Sequence, residues 1–147
     1  PSFAGLKYSS TDLAEFRACL NVDGGRFEVL FGVDEMLLGA VATGAKGAVG
    51  STYNFAAPLY RAILQAFADG DMEKAQQYQG YAVEMVRILV RYRGQPGIKA
   101  MMEFIGLDCG PNRLPMRTLT AEERSSLRRE MEESGLLDRI RGVSVKA

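Results

Sequence analysis

The chain has 147 residues, enough for one ordinary domain with a sizeable core. Apolar residues make up 47% and charged residues 24%, the composition of a soluble globular protein. Lys+Arg and Asp+Glu balance at 18 each, which leaves no electrostatic footprint for nucleic acid or an anionic membrane surface, and no apolar run approaches the roughly 20 residues that span a bilayer.

In chain order, Phe3–Leu6 reads as a short buried strand that leads into Lys7. Thr11, Asp12 and Glu15 open a helix to about Leu20, with Leu13, Phe16 and Leu20 on one side. Phe27–Phe31 is a second strand, broken by Gly32; Asp34 is placed to cap a helix that runs to Gly44. Gly47–Gly50 reads as a third strand, ending in "STYN". Pro58 suits the first position of a helix that stops at Gly70. Short apolar strands alternating with helices are the pattern of a parallel sheet with crossover helices, so the fold class expected is α/β.

The remainder reads as helical. Between Asp71 and Tyr92, Met72, Ala75, Tyr78, Ala82, Met85, Val86, Leu89 and Val90 recur at spacings of three and four, which predicts one buried face. A shorter helix is expected over Ile98–Ile105, then a loop containing "CGPNRLP". Thr120 with Glu123 forms a capping box for a last helix from Ala121 to about Ile140. This divides the chain into a β/α segment, residues 1–70, and a helical extension, residues 71–147.

There is no histidine, so any catalysis runs on lysine, tyrosine, carboxylates, hydroxyls or a substrate group, and the commonest zinc ligand is missing. Cys19 and Cys109 form no CxxC spacing, and a reduced, intracellular protein is expected, with a Cys19–Cys109 pairing as the alternative. The first residue, Pro1, stands just before a strand, which suggests a processed chain or a piece of a longer one.

In parallel β/α proteins chemistry collects at the carboxyl ends of the strands. Those ends carry Lys7 with Ser9 and Ser10; Gly32 with Asp34 and Glu35; and Ser51 to Asn54. Among the lysines at 7, 46, 74, 99 and 146, only Lys7 follows a buried strand. A desolvated amine loses its proton more readily and can attack a carbonyl to form a Schiff base; the plainer reading is an ion pair at a strand end. Asp34 and Glu35 face the same choice between ligand hydroxyls and capping the first turn of a helix, and capping is favoured on position alone. Ser51–Asn54 is also ordinary turn chemistry.

Taken together, "GLKYSSTDL", "LFGVDEMLLGAVATGAKGAVGSTYN" and "PNRLP" resemble the N-acetylneuraminate lyase family, within the dihydrodipicolinate synthase-like group of lysine-dependent aldolases. The resemblance runs from about Phe3 to Arg117, and "GVDE" followed sixteen residues after its Glu by "STYN" is its most specific part. It implies the C-terminal part of a (β/α)8 barrel, strands six to eight, plus C-terminal helices. It further implies reversible cleavage of N-acetylneuraminate (sialic acid) to pyruvate and N-acetylmannosamine, with Lys7 as the imine-forming nucleophile. Gly32, Asp34, Glu35 and Ser51 would contact the sugar hydroxyls, with Ser9 beside the Schiff base. Val33 stands where some bacterial members carry tyrosine. The family's carboxylate-binding motif and catalytic tyrosine lie in earlier strands, and Tyr8 and Tyr53 do not replace them. No metal or organic cofactor is implied, and neither a nucleic acid nor a membrane partner. A complementary N-terminal half-barrel, a cytoplasmic location and a homotetramer are. A sister aldolase acting on another 2-keto acid, and a non-catalytic half-barrel assembly module, are the alternatives.

Overall fold

A computed structural model of the chain describes residues 2–142; Lys146 and the end of the expected helical extension lie outside the described residues. Strand β1 (Gly5–Tyr8) and strand β2 (Glu28–Phe31) pair in parallel, with Gly5 opposite Glu28 and Tyr8 opposite Phe31. Helix α1 (Leu13–Asn21) crosses between them, its N-terminus capped by Asp12, which accepts from the Glu15 N–H at 2.9 Å. Tyr8, Phe16, Val29, Phe31 and Ala40 form a small core under one face of the sheet, with Phe16 edge-on to Phe31 at 5.1 Å. Lys7 and Leu30 share a register position on the opposite face.

Among the described residues that opposite face is left open. Leu30 is 37% exposed, and Lys7 is exposed as well. The first strand is therefore neither buried nor finished before Lys7: it lies two residues later than expected and includes the lysine. The ladder itself sets the boundary, because Gly5–Tyr8 is the stretch that finds partners on β2.

The expected third strand shrinks to one bridge, Ala48 opposite Phe31. The Phe31 N–H donates to the Gly47 carbonyl at 3.0 Å, and the Val49 N–H to the Phe31 carbonyl at 2.9 Å. The pairing is short. Ala45 N–H still bonds back to the Ala40 carbonyl at the exit of helix α2 (Leu37–Thr43), and Gly32 N–H continues the ladder toward β1 by donating to the Tyr8 carbonyl.

Helix α3 (Tyr53–Ala68) begins five residues before Pro58. A departure from helical backbone at Ala56 (φ −117°, ψ 19°) permits this, since a proline inside a regular helix lacks an N–H and crowds the carbonyl four residues back. Helix α4 (Met72–Arg91) is capped by Asp71, which accepts from the Lys74 N–H at 3.0 Å. Its apolar residues split between two surroundings. Ala82, Met85, Ile88 and Leu89 enter the main core and Ala75 is buried, whereas Met72 and Val90, expected on the buried face, are 43% and 66% exposed. Helix α5 (Gln95–Phe104) starts three residues early, with Pro96 in its first turn.

The last expected helix is two. Helix α6 (Ala121–Glu133) ends at Ser134, Gly135 takes a left-handed conformation (φ 69°), and helix α7 (Leu136–Gly142) follows. The turn lets Leu136, Leu137 and Ile140 enter the main core beside Leu127 and Met131. That core also holds Leu37, Leu59 and Ile63, and so crosses the boundary expected at residue 70. Helices α3 and α4 make the broadest contact of any two elements. None of the described helices is long and apolar enough to cross a membrane.

The Thr120–Glu123 capping box is present: Thr120 Oγ1 accepts from the Glu123 N–H at 3.2 Å, and the Glu123 carboxylate accepts from the Thr120 N–H at 2.8 Å. Glu123 also accepts from Arg93 and Arg117. Arg93, first, and then the backbone N–H hold the Glu123 carboxyl down from 4.5 to about 2. A carboxyl with a depressed folded-state pKa stabilises fully above its unfolded value and loses that contribution as pH falls through the folded one. The stability gap between the protein and its Glu123→Gln variant, followed by chemical denaturation, is therefore expected to be widest above pH 4.5 and to close toward about 2. A gap constant across that window would contradict this.

Candidate active-site cleft

The strand ends open into a cleft of about 440 Å³. Lys7, Ser9, Gly32, Asp34, Glu35 and Ser51 all line it, so the residues singled out at three separate strand ends share one space. Lys7 reaches it from β1 and Ser9 from the residues just after. Neither position would be possible with a side chain at Gly32, because a Cβ there would overlap Lys7 Cε and Ser9 Oγ. Lys7 is exposed and sits in an open cleft rather than a dry pocket.

Asp34 is not a cap. It starts a single 3-10 turn, Asp34–Met36, in which no side chain caps the free N–H groups. Its residue is 7% exposed, and a carboxylate so buried needs partners. Asp34 Oδ2 accepts from the Thr52 N–H at 3.0 Å and from Thr52 Oγ1 at 2.5 Å. The contact joins the end of β2 to the start of α3. Glu35, half-buried, takes the cleft position beside it.

The far wall comes from the helical part of the chain. Val86, Leu89 and Val90 of α4, with Gly94, Gln95 and Ile98 at the start of α5, complete the lining. Sequence reasoning missed this wall. The signal was there in Val86 and Val90, four apart on α4, but helical periodicity says only that they share a face, not what that face meets. It also missed Tyr60, and it took Thr52 only as part of the strand-end turn. Thr52 was visible inside "STYN", yet nothing in the sequence shows it turned toward Asp34.

The two nearby tyrosines point elsewhere. Tyr8 hydroxyl lies between the Asp12 carbonyl (2.8 Å) and the Glu15 carboxylate (2.7 Å), on the α1 side of the sheet. Tyr53 packs edge-on to Tyr60 with ring centres 4.2 Å apart, and its hydroxyl is buried with no hydrogen-bond partner. Burial, then the charges of Asp34 and Glu35, pushes the Tyr53 hydroxyl far up from its usual pKa of 10.0, which keeps it protonated. Of the other lysines, Lys99 is fully engaged by the loop that follows α5. Its amine donates to the carbonyls of Cys109, Gly110 and Pro111 at 3.0, 3.3 and 2.7 Å. Cys19 and Cys109 are both free thiols.

This arrangement offers a primary amine, two carboxylates and small hydroxyls around one open space, flanked by an apolar helix face. An amine can add to a carbonyl, and the carboxylates can accept hydrogen bonds from a polyhydroxylated ligand.

Comparison with known proteins places the chain. It is 42% identical over 125 residues to the N-acetylneuraminate lyase of Rattus norvegicus, a match covering 83% of this chain and 39% of the rat protein. The solved structure of Proteus mirabilis N-acetylneuraminate lyase is similar at 39% identity and a TM-score of 0.86, over 91% of this chain and 45% of that one. The N-acetylneuraminate lyase (sialic acid aldolase) of Aliivibrio salmonicida is similar at 42% identity and a TM-score of 0.86, with the same coverage of 91% and 45%. The chain thus spans less than half the length of these relatives. Residues 1–134 match the Dihydrodipicolinate synthetase family, and the chain belongs to that family.

Proposed function

We propose that this chain is the portion of a (β/α)8 aldolase that carries strands six to eight, and that the complete protein cleaves N-acetylneuraminate to pyruvate and N-acetylmannosamine. The observation that carries the reading is the meeting of Lys7 with Asp34, Glu35 and Ser51 in one cleft at the strand ends. The likeness to N-acetylneuraminate lyases supports the choice of substrate. On this reading residues 1–70 belong to the barrel and residues 71–147 to its helical extension, although one core unites them.

The chemistry follows from the amine. Lys7 Nζ, once neutral, attacks the keto carbon of the open-chain sugar, and loss of water leaves a protonated imine. The imine draws the electron pair of the breaking carbon–carbon bond, while the hydroxyl on the departing carbon gives up its proton and becomes the aldehyde of N-acetylmannosamine. The remaining enamine takes a proton and is hydrolysed to pyruvate and free Lys7. Ser9 stands beside the reacting centre; Gly32, Asp34, Glu35 and Ser51 hold the hydroxyl chain. The carboxylate-binding groups and the cover over Lys7 come from a complementary N-terminal half-barrel. The complete protein is proposed to be a cytoplasmic homotetramer.

Borohydride with pyruvate is expected to trap a reduced adduct on Lys7 of the complete protein. Lys7→Ala is expected to abolish trapping and turnover. Lys7→Arg should do the same, because a guanidinium stays protonated and cannot act as the nucleophile. Peptide mapping of the adduct to any other lysine would disprove the assignment, and comparing pyruvate release from several 2-keto acids separates this lyase from a sister aldolase.

The need for the complementary half has its own test. Among the described residues β1 pairs only with β2, and beyond β2 the sheet ends in the single Ala48 bridge. Val49 is 43% exposed beside the bare Leu30. An unmet backbone group costs on the order of 1–3 kcal/mol once buried, against about 5–15 kcal/mol for a whole domain. Residues 1–147 expressed alone are expected to self-associate in sedimentation, or to show weak hydrogen-exchange protection in β1 and β2. A well-protected soluble monomer would refute the requirement.

A further inference from the structure

Thr52 is a buried residue of the cleft wall and Tyr60 is buried behind it, and neither belongs to the ligand-contacting set proposed above. Thr52 Oγ1 lies 2.6 Å from Tyr60 Oη and 2.5 Å from Asp34 Oδ2. A carboxylate oxygen can only accept, so the Thr52 hydroxyl gives its single proton to Asp34. Tyr60 must then be the donor to Thr52. The directions of both hydrogen bonds are fixed by chemistry rather than by choice. The Thr52 backbone N–H adds a second bond to the same Oδ2. Asp34 Oδ1 receives none of these. It occupies the space that a Cβ on Gly50 would fill, and both Gly50 and Asp34 line the cleft. From the other side, Gln79 of α4 accepts from the Leu38 N–H at 2.8 Å and pins the turn that carries Asp34.

We propose that Thr52 and Tyr60 are positioning residues for Asp34: the hydroxyl chain from Tyr60 through Thr52 saturates Oδ2 and leaves Oδ1 as the one oxygen that accepts a ligand hydroxyl. The consequence is discrimination. A carboxylate free to rotate would serve many polar ligands, whereas one with a single fixed acceptor favours a polyhydroxylated ligand whose hydroxyl meets it. Gly50 is the steric condition for this orientation. The inference rests on the reading that Asp34 faces the hydroxyl chain of the substrate.

The test uses the complete protein and separates the two readings. Asp34→Ala, Thr52→Val, Thr52→Ser and Tyr60→Phe are compared for kcat and KM with N-acetylneuraminate, and for borohydride trapping with pyruvate, which has no hydroxyl chain. Thr52→Val keeps the backbone N–H and the shape but loses the hydroxyl. It is expected to raise KM about tenfold, the loss of one charge-assisted hydrogen bond, with pyruvate trapping unchanged. Thr52→Ser restores the hydroxyl and should return KM to within about twofold. Tyr60→Phe should have a smaller effect alone and none on the Thr52→Val background, because the two act through one chain. A merely structural role would instead depress trapping and thermal stability together with KM. If Asp34→Ala raises KM while Thr52→Val leaves it unchanged, the positioning role is overturned and the substrate reading stands. If Asp34→Ala itself leaves KM unchanged, both fall.

Discussion

A buried carboxylate is the constraint on which the rest of this molecule turns. Asp34 leaves the end of β2 and is 7% exposed, so it cannot rely on water for its hydrogen bonds. Thr52 satisfies it with both its N–H and its hydroxyl, and Tyr60 satisfies Thr52 in turn. Thr52 immediately precedes α3, so the same contact fixes where the largest helical contact in the molecule begins relative to the sheet. The first turn of α2 is tied to α4 by Gln79 at nearly the same place. A polar network thus sets the alignment of the helices with the strand ends, where apolar packing alone tolerates sliding.

Two glycines make the alignment possible. Lys7 and Ser9 pass over Gly32, and Asp34 lies against Gly50. In each case a side chain from one strand end fills the space that the next strand end leaves empty. Parallel neighbours stand close enough that a long or charged side chain at the mouth of the sheet needs such a gap beside it. The glycines therefore belong to the cleft as much as the residues that carry the chemistry.

The apolar surface divides unevenly. Helices α2 to α7 hold one large core, whereas the sheet, through Tyr8, Val29 and Phe31, forms a smaller one with Phe16 of α1. Helix α4 serves both the large core, through Met85 and Leu89, and the cleft, through Val86 and Val90. The opposite face of the sheet, with Lys7 and Leu30, is left open among the described residues. Lys7 is consequently an exposed residue in a cleft where Asp34 is buried and firmly held.

Much of this was legible in the residues. Alternating short apolar runs and helical spacing gave the order of the elements, Asp12 and Thr120 marked helix starts that are local in origin, and strand ends gathered Lys7, Asp34, Glu35 and Ser51. These features depend on neighbours within a few positions, which a sequence displays directly. What lay beyond it depends on contacts between distant segments. The capping role favoured for Asp34 yielded to Thr52, eighteen positions away, because burial made that partner necessary. The third strand shrank to the Ala48 bridge, with the chain before it still tied to the exit of α2 through the Ala45 N–H and the Ala40 carbonyl. The last helix broke at Gly135 so that α7 could fold back onto α3. The sequence by itself determined which residues could do chemistry and roughly where the chain turns; the tertiary structure alone decided which of them meet, since burial and hydrogen-bond satisfaction are settled by what packs alongside and not by spacing along the chain.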